Sequence, residues 1–217
     1  MKIFRRKKPQ MSPVEKLIHK GDKNVERYKR RGIFKFLFVL NRSNKCLIEA
    51  KLLYVRAGNE AKSELNYQLA IKAYTKAVEI CEVDSAETGE CYEKIASCYL
   101  TYEPRQAIAY YKQASQIYAS SGRYSTAGTL LEKCIQLCEQ IDDYDIALDL
   151  CLIAERYYME GNEKAFAFRI KSKIAGIYVV QHKYTDAKNL FENLVILSKQ
   201  ESTISIGFTD ERHHCLW

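Results

Sequence analysis

The apolar positions of this 217-residue chain fall repeatedly on one helical stripe. With Ala107 as anchor, apolar residues stand at Tyr110, Tyr111 and Ala114. Such spacing, about three, four and seven residues on, is one face of an α-helix. The stripe returns as Ala127, Leu130, Leu131 and Cys134, then as Ala147, Leu150, Cys151 and Ala154. It continues as Ala167, Ile170 and Ile174, with Lys171 as an interruption, and as Ala187, Leu190, Phe191 and Leu194. Upstream, Ala50, Leu53, Tyr54 and Ala57 fit it, as do Ala70, Ala73, Tyr74 and Ala77. Cys91, Ile95 and Cys98 fill three of its four places. The pattern predicts eight helices, spaced 20 residues apart at most joints. A helix of about 16 residues and a turn of about four fill that interval and suit antiparallel neighbours.

Punctuation residues sit between the stripes. Pro104 is expected to open a helix, where its missing N–H costs nothing. Gly122 and Gly161 fall where a left-handed C-terminal cap is expected, and Asp142 and Asp143 where an N-cap is expected. Alanine at the anchor allows close helix approach, while tyrosine or leucine three and four residues on fills the neighbour's groove. A pair of such helices cannot bury its own apolar face, so the pairs must stack. The predicted fold is all-α: a right-handed solenoid, a twisted sheet of antiparallel helix pairs. The spacing of Ala107, Tyr111 and Ala114 is that of a tetratricopeptide helix, here in a repeat of about 40 residues, with HEAT-type repeats as the structural alternative.

Composition narrows the reading. Only three prolines and nine glycines disfavour a fold of many short strands. The formal net charge is +7. It is unevenly spread: residues 1–45 hold fifteen Lys/Arg and three Asp/Glu, whereas the remainder is mildly acidic. The chain thus divides into a basic arm, residues 1–12, expected to be disordered, a solenoid over 13–199 and a non-repeat tail over 200–217. The start Met1-Lys2-Ile3-Phe4-Arg5-Arg6-Lys7-Lys8 lacks the apolar core of a secretion signal, so the eight cysteines are read as reduced thiols of a cytoplasmic protein.

Candidate chemistry is sparse. The sixteen tyrosines fall mostly on the stripe, which reads as core packing; an acidic body opposes a nucleic-acid stacking platform. Cys134 and Cys138 lie one turn apart, and His213, His214 and Cys215 cluster near the end, but no second pair completes a zinc site. No nucleophile–base constellation or Gly-rich phosphate loop is present. The sequence therefore predicts a binding protein, with no catalytic residue, metal or cofactor, and no nucleic-acid partner.

The segment from Arg30 to Arg42 differs from the rest. Ile33, Phe34, Phe36, Leu37 and Phe38 form an apolar run without helical periodicity, collared by Arg30, Arg31 and Arg42. Such an apolar tip in a basic collar (loop 32–41) suits shallow insertion into an anionic bilayer surface.

The order of these features resembles the soluble NSF attachment proteins, in particular their α/β-SNAP type, over about residues 14–199. Glu103-Pro104-Arg105-Gln106-Ala107-Ile108, running on to Ile117-Tyr118, is similar to the family's "DPxEAI…A…IY" helix. Gly122-Arg123-Tyr124 to Ala127 is similar to its "GRF…AA" turn, and Asp145-Ile146-Ala147 to Tyr158 to the helix that ends in "YY". Ala167 to Gly176 resembles "ANKCLLKVAG", and Tyr184-Thr185-Asp186-Ala187 with Phe191-Glu192 resembles "QYxxAIDIYE". The resemblance implies a non-enzymatic adaptor. Members wrap a four-helix, syntaxin-containing SNARE bundle, touch the membrane through the phenylalanine-rich loop, and recruit the hexameric AAA ATPase NSF. The family's basic SNARE-facing positions fall on Arg123, Arg169 and Lys173; at another the family has lysine and this chain Thr129. The family continues past the equivalent of residue 199 with an ATPase-recruiting helical bundle. The sequence as it stands reads as a C-terminally shortened form with impaired recruitment.

Overall fold

The structure, a computed structural model, describes residues 11–32, 40–82 and 85–200. These residues form helices and turns, with no strand among them. The helices are α1 (Pro13–Gly32), α2 (Leu40–Ser63), α3 (Tyr67–Val78), α4 (Ala86–Tyr99), α5 (Pro104–Ser120), α6 (Tyr124–Gln140), α7 (Tyr144–Glu160), α8 (Lys164–Val180) and α9 (Tyr184–Gln200). The eight striped segments are α2 to α9. The unstriped α1 is added before them, and buries Val14 and Ile18. A reciprocal capping box starts α1: the Glu15 N–H donates to Ser12 Oγ at 3.1 Å, and the Ser12 N–H to Glu15 Oε2 at 2.7 Å.

Each helix packs against the next, giving an all-α helical solenoid. The anchor alanines do what the pattern requires. Ala50, Ala70, Ala107, Ala127 and Ala147 are wholly buried, as are Ala57, Ala77, Ala114 and Ala154 one stripe further on. Helix backbones can approach there because there is no bulk to separate them. Tyr54, Tyr74, Tyr111, Tyr118 and Tyr158 bury their rings in the grooves between helices. Side chains of α1 to α4 form one core cluster and those of α4 to α8 a second, with α4 contributing to both.

The helices α5 to α9 are 17 residues long. Their connections close alike. Gly122, Asp142, Asn162 and His182 take positive φ of 76°, 55°, 56° and 59°, and Leu65 does so at the α2–α3 joint with 59°. The following N–H reaches back to the last helical turn: Arg123 to the Tyr118 carbonyl, Asp143 to Cys138, Glu163 to Tyr158, Lys183 to Tyr178 and Asn66 to Ala61. This Schellman closure satisfies carbonyls that the helix end leaves open. Gly122 is left-handed as expected, and Pro104 opens α5. Two expectations need correction. Gly161 has φ −77°, and Asn162 beside it makes the left-handed turn. Asp142 is the left-handed residue that follows Ile141, the C-cap of α6, and Asp143 occupies the N-cap of α7 without a side-chain capping bond. The basic arm 1–10, the apolar run 33–39 and the tail 201–217 lie outside the described residues.

Candidate partner-binding surface

Alternate helices lie side by side in one layer, and charged side chains lace the layer of α2, α4, α6 and α8. Lys51 on α2 pairs with Glu87 on α4 at 2.6 Å, and Lys62 donates to Ser97 at 2.7 Å. Lys133 on α6 pairs back to Glu93 on α4 at 3.2 Å. On α8, Arg169 pairs with Glu132 and Lys173 with Glu139 of α6, at 2.6 and 3.0 Å. In each case a residue in one helix meets its partner in the next helix of the same layer.

Arg169 and Lys173 thus stand one turn apart on the same face of α8, and both lean onto α6. The Arg169 Nη2 donates to both Glu132 oxygens, at 2.6 and 2.8 Å. Its guanidinium also lies 4.8 Å from the ring centroid of Phe166, which stacks on the Tyr158 ring at 5.2 Å. The Tyr158 hydroxyl donates to Glu132 Oε1. Glu132 therefore holds a tyrosine of α7 and an arginine of α8 at once. Burial, reinforced by that donation to a carboxylate, pushes the Tyr158 hydroxyl up to about 12.

Arg123 sits apart. It occupies the N-cap position of α6, and its guanidinium stacks 4.6 Å over the Tyr118 ring. Glu132 lies about 13 Å further along α6, at about 1.5 Å per residue. The three expected cations thus follow one helix from its start to its middle and end. Two are matched by carboxylates of the chain itself. Thr129, at the position where lysine was expected, is exposed on α6 and turns its hydroxyl back to the Ser125 carbonyl at 2.9 Å. The other residues singled out, Ile33, Phe34, Phe36, Leu37 and Phe38, fall outside the described residues.

Sequence reasoning missed the ladder. Its partners are far apart in sequence: Lys133 and Glu93 by 40 residues, Arg169 and Glu132 by 37. These separations are about one helix-pair repeat, so opposite charges offset by one repeat were the available signal. The cysteines at stripe positions, Cys91, Cys98, Cys134, Cys138 and Cys151, are buried. Burial raises Cys134 and Cys151 to about 12 and Cys138 to about 11, which keeps them protonated and inert. No helix among the described residues is long and apolar enough to cross a membrane.

A solved chain of nearly identical TPR-like repeats from Podosopora anserina matches with a TM-score of 0.48 at 12% identity, over 88% of this chain and 99% of that one. The alpha-soluble NSF attachment protein of Vitis vinifera is 21% identical over 161 residues, covering 73% of this chain and 56% of the relative. The gamma-soluble NSF attachment protein of Arabidopsis thaliana is 27% identical over 160 residues, covering 70% and 54%. The chain spans about half the length of the curated relatives it matches. The model of the soluble NSF attachment protein family, SNAP, matches residues 12–209. With that match running through all the described helices, the chain belongs to the soluble NSF attachment protein family.

Proposed function

We propose that the chain is a non-enzymatic adaptor that binds an assembled, syntaxin-containing SNARE four-helix bundle through the charged layer of α6 and α8. Arg123, Arg169 and Lys173 are the cations offered to acidic positions of the bundle. In this reading the apolar run from Ile33 to Phe38, with its arginine collar, holds the adaptor on the cytoplasmic face of the membrane. A hexameric NSF-type ATPase then joins the complex to pull the bundle apart in vesicle transport. The observation that carries the reading is the family match across residues 12–209. The cationic face supports it, since ionic and exposed contacts are those that salt weakens.

The test is a pull-down with the chain immobilised, an assembled four-helix SNARE bundle as ligand, and the ATPase added second. Saturable capture at low salt that fades as salt rises is expected. Capture of the bundle without the ATPase would leave the adaptor half of the proposal standing and remove recruitment. Capture of neither, at any salt, would reduce the chain to a helical scaffold for another peptide. In parallel, co-sedimentation with vesicles rich in anionic lipid is expected to be lost in a Phe34→Ser, Phe36→Ser, Phe38→Ser variant.

A further inference from the structure

Two sets of side chains run along α1 in antiphase. Val14, Ile18, Gly21, Val25 and Tyr28 recur every three or four residues and turn towards the stack, the first three buried and the last two half-buried. Lys16, Lys20, Lys23, Arg27 and Arg30 recur with the same spacing, two residues out of step, and all five are exposed. At about 3.6 residues per turn, an offset of two is roughly half a turn, so the cations line the side opposite the core. The row is about 21 Å long from Lys16 to Arg30, at about 1.5 Å per residue.

Its charges are largely unmatched. The acids of α1 are Glu15, Asp22 and Glu26. Glu15 closes the capping box with Ser12, Asp22 is held between Tyr54 and Lys76, and Glu26 meets Arg30 at 3.8 Å. Arg27 donates to a neutral acceptor, Asn24 Oδ1, at 3.4 Å. No carboxylate among the described residues pairs with Lys16, Lys20, Lys23 or Arg27. The cations Lys133, Arg169 and Lys173, by contrast, each meet a glutamate of the neighbouring helix in their layer. Like charges one turn apart on a helix repel, so an open row of them is stabilised by an anion laid along it.

We propose that α1 lies lengthwise on an anionic bilayer surface, with Lys16, Lys20, Lys23 and Arg27 set against lipid headgroups. This rests on the membrane contact proposed above and adds an electrostatic element to it. Three observations select a bilayer among polyanions. The row follows one side of a helix and is straight, which suits a flat charged surface. The one aromatic residue of α1, Tyr28, is half-buried on the opposite side, so the row offers no ring on which a base could stack. The sequence leads from Arg30 and Arg31 directly into the apolar run 33–38. A bilayer meets both features, a charged surface for the row and an apolar interior for the run; nucleic acid meets only the first.

The full-length chain is co-sedimented with vesicles rich in phosphatidylserine and with vesicles of phosphatidylcholine alone. Binding to the anionic vesicles is expected to weaken about fivefold in Lys20→Gln and at least about fiftyfold in the combined Lys16→Gln, Lys20→Gln, Lys23→Gln, Arg27→Gln variant. What binding remains should lose most of its salt dependence. Lys16→Arg, Lys20→Arg, Lys23→Arg, which keeps the charge, is expected to bind like the parent. All these side chains are exposed, so the variants should unfold at the parent's temperature. Loss in the fourfold variant, with the Phe34→Ser, Phe36→Ser, Phe38→Ser variant still bound, would uphold the row and remove the apolar run. Parent-like binding by the fourfold variant, with the serine variant released, would overturn the row and leave the membrane contact standing. A parent that ignores anionic vesicles would overturn both. A parent that binds a DNA duplex more tightly than anionic vesicles at equal ionic strength, and loses it in the fourfold variant, would overturn the proposal in favour of nucleic acid.

Discussion

The ring of Tyr158 on α7 lies on the bare backbone of Gly128 on α6, where an added Cβ would fall 2.6 Å from the ring Cζ. The contact recurs. Tyr54 meets Gly21, Tyr74 meets Gly58 and Tyr118 meets Gly89, at 2.5, 2.4 and 3.2 Å from the place a Cβ would take. A mid-helix glycine ordinarily costs about 1 kcal/mol of helix stability relative to alanine. Here the loss is offset by a flat face on which an aromatic ring can seat. Gly128→Ala should therefore lower stability by about 1–3 kcal/mol through overpacking, despite alanine's better propensity. Gly176, also helical, has nothing within 4 Å of such a Cβ, so Gly176→Ala should raise stability by about 0.5–1 kcal/mol. Urea unfolding of the two variants checks the pair. Equal shifts of the same sign would remove the ring-on-glycine account.

The division between legible and illegible features follows from what periodicity can report. The stripe of Ala107, Tyr111 and Ala114 repeats because every helix solves the same packing problem, so it shows in one dimension. Gly58 or Gly128 does not show, because a glycine at one point of a helix is read as a flaw until the ring above it is seen. The ion pairs of Lys133 and Arg169 need the three-dimensional stacking to bring side chains 40 and 37 residues apart together. Asp142 was misread because aspartate serves both as an N-cap acceptor and as a left-handed turn residue, and only the backbone distinguishes them.

Leu65 offers a simple test of the turn geometry. It is 71% exposed and holds φ 59°. The left-handed conformation costs an ordinary side chain about 1–2 kcal/mol, and glycine almost nothing. With little burial to lose, Leu65→Gly should stabilise by about 0.5–1 kcal/mol, although glycine also gains freedom when unfolded. Gly122→Ala, at φ 76°, should destabilise by a similar amount. Thermal unfolding curves that move in the opposite directions would show that these joints relax to another turn.

Asp22 links three helices. Its Oδ1 accepts from the Tyr54 hydroxyl of α2 and from Lys76 Nζ of α3, both at 2.7 Å. Burial alone would raise this carboxyl, but the bonds from Lys76 and Tyr54 outweigh it and hold it below the usual value of 3.8. A lowered acid stabilises the fold above its unfolded value, and that contribution is lost as pH falls below about 4 towards the folded value. Asp22→Asn should cost about 1–3 kcal/mol at neutral pH, because Lys76 loses its partner, and should flatten the acid limb of the stability curve. Denaturation followed from neutral pH into the acid limb reads both effects. An unchanged acid limb would mean that Asp22 titrates normally.

The cations of α8 are already paired within the chain, and this shapes how a partner could use them. An acidic segment approaching Arg169 must compete with both oxygens of Glu132, and one approaching Lys173 with Glu139. Both pairs are only partly covered, with side-chain exposures of 56% and 22% for Arg169 and Glu132 and 34% and 31% for Lys173 and Glu139. Pairs still reached by water are worth about 1 kcal/mol or less, little enough for a partner carboxylate to replace them. Neutralising the internal competitor should then help: Glu139→Gln is expected to tighten binding of an assembled SNARE bundle by about two- to fivefold at low salt. Glu132→Gln should tighten it too, but at a cost in stability, because Glu132 also receives the Tyr158 hydroxyl. Arg169→Ala and Lys173→Ala should weaken binding by similar factors, and Arg123→Ala by more, since stacking on Tyr118 leaves its charge unopposed by a carboxylate at that contact. Titration of each variant at two salt concentrations reads the order. If the glutamine variants bind no better than the parent, or the alanine variants no worse, the layer of α6 and α8 is an internal brace and the bundle docks elsewhere.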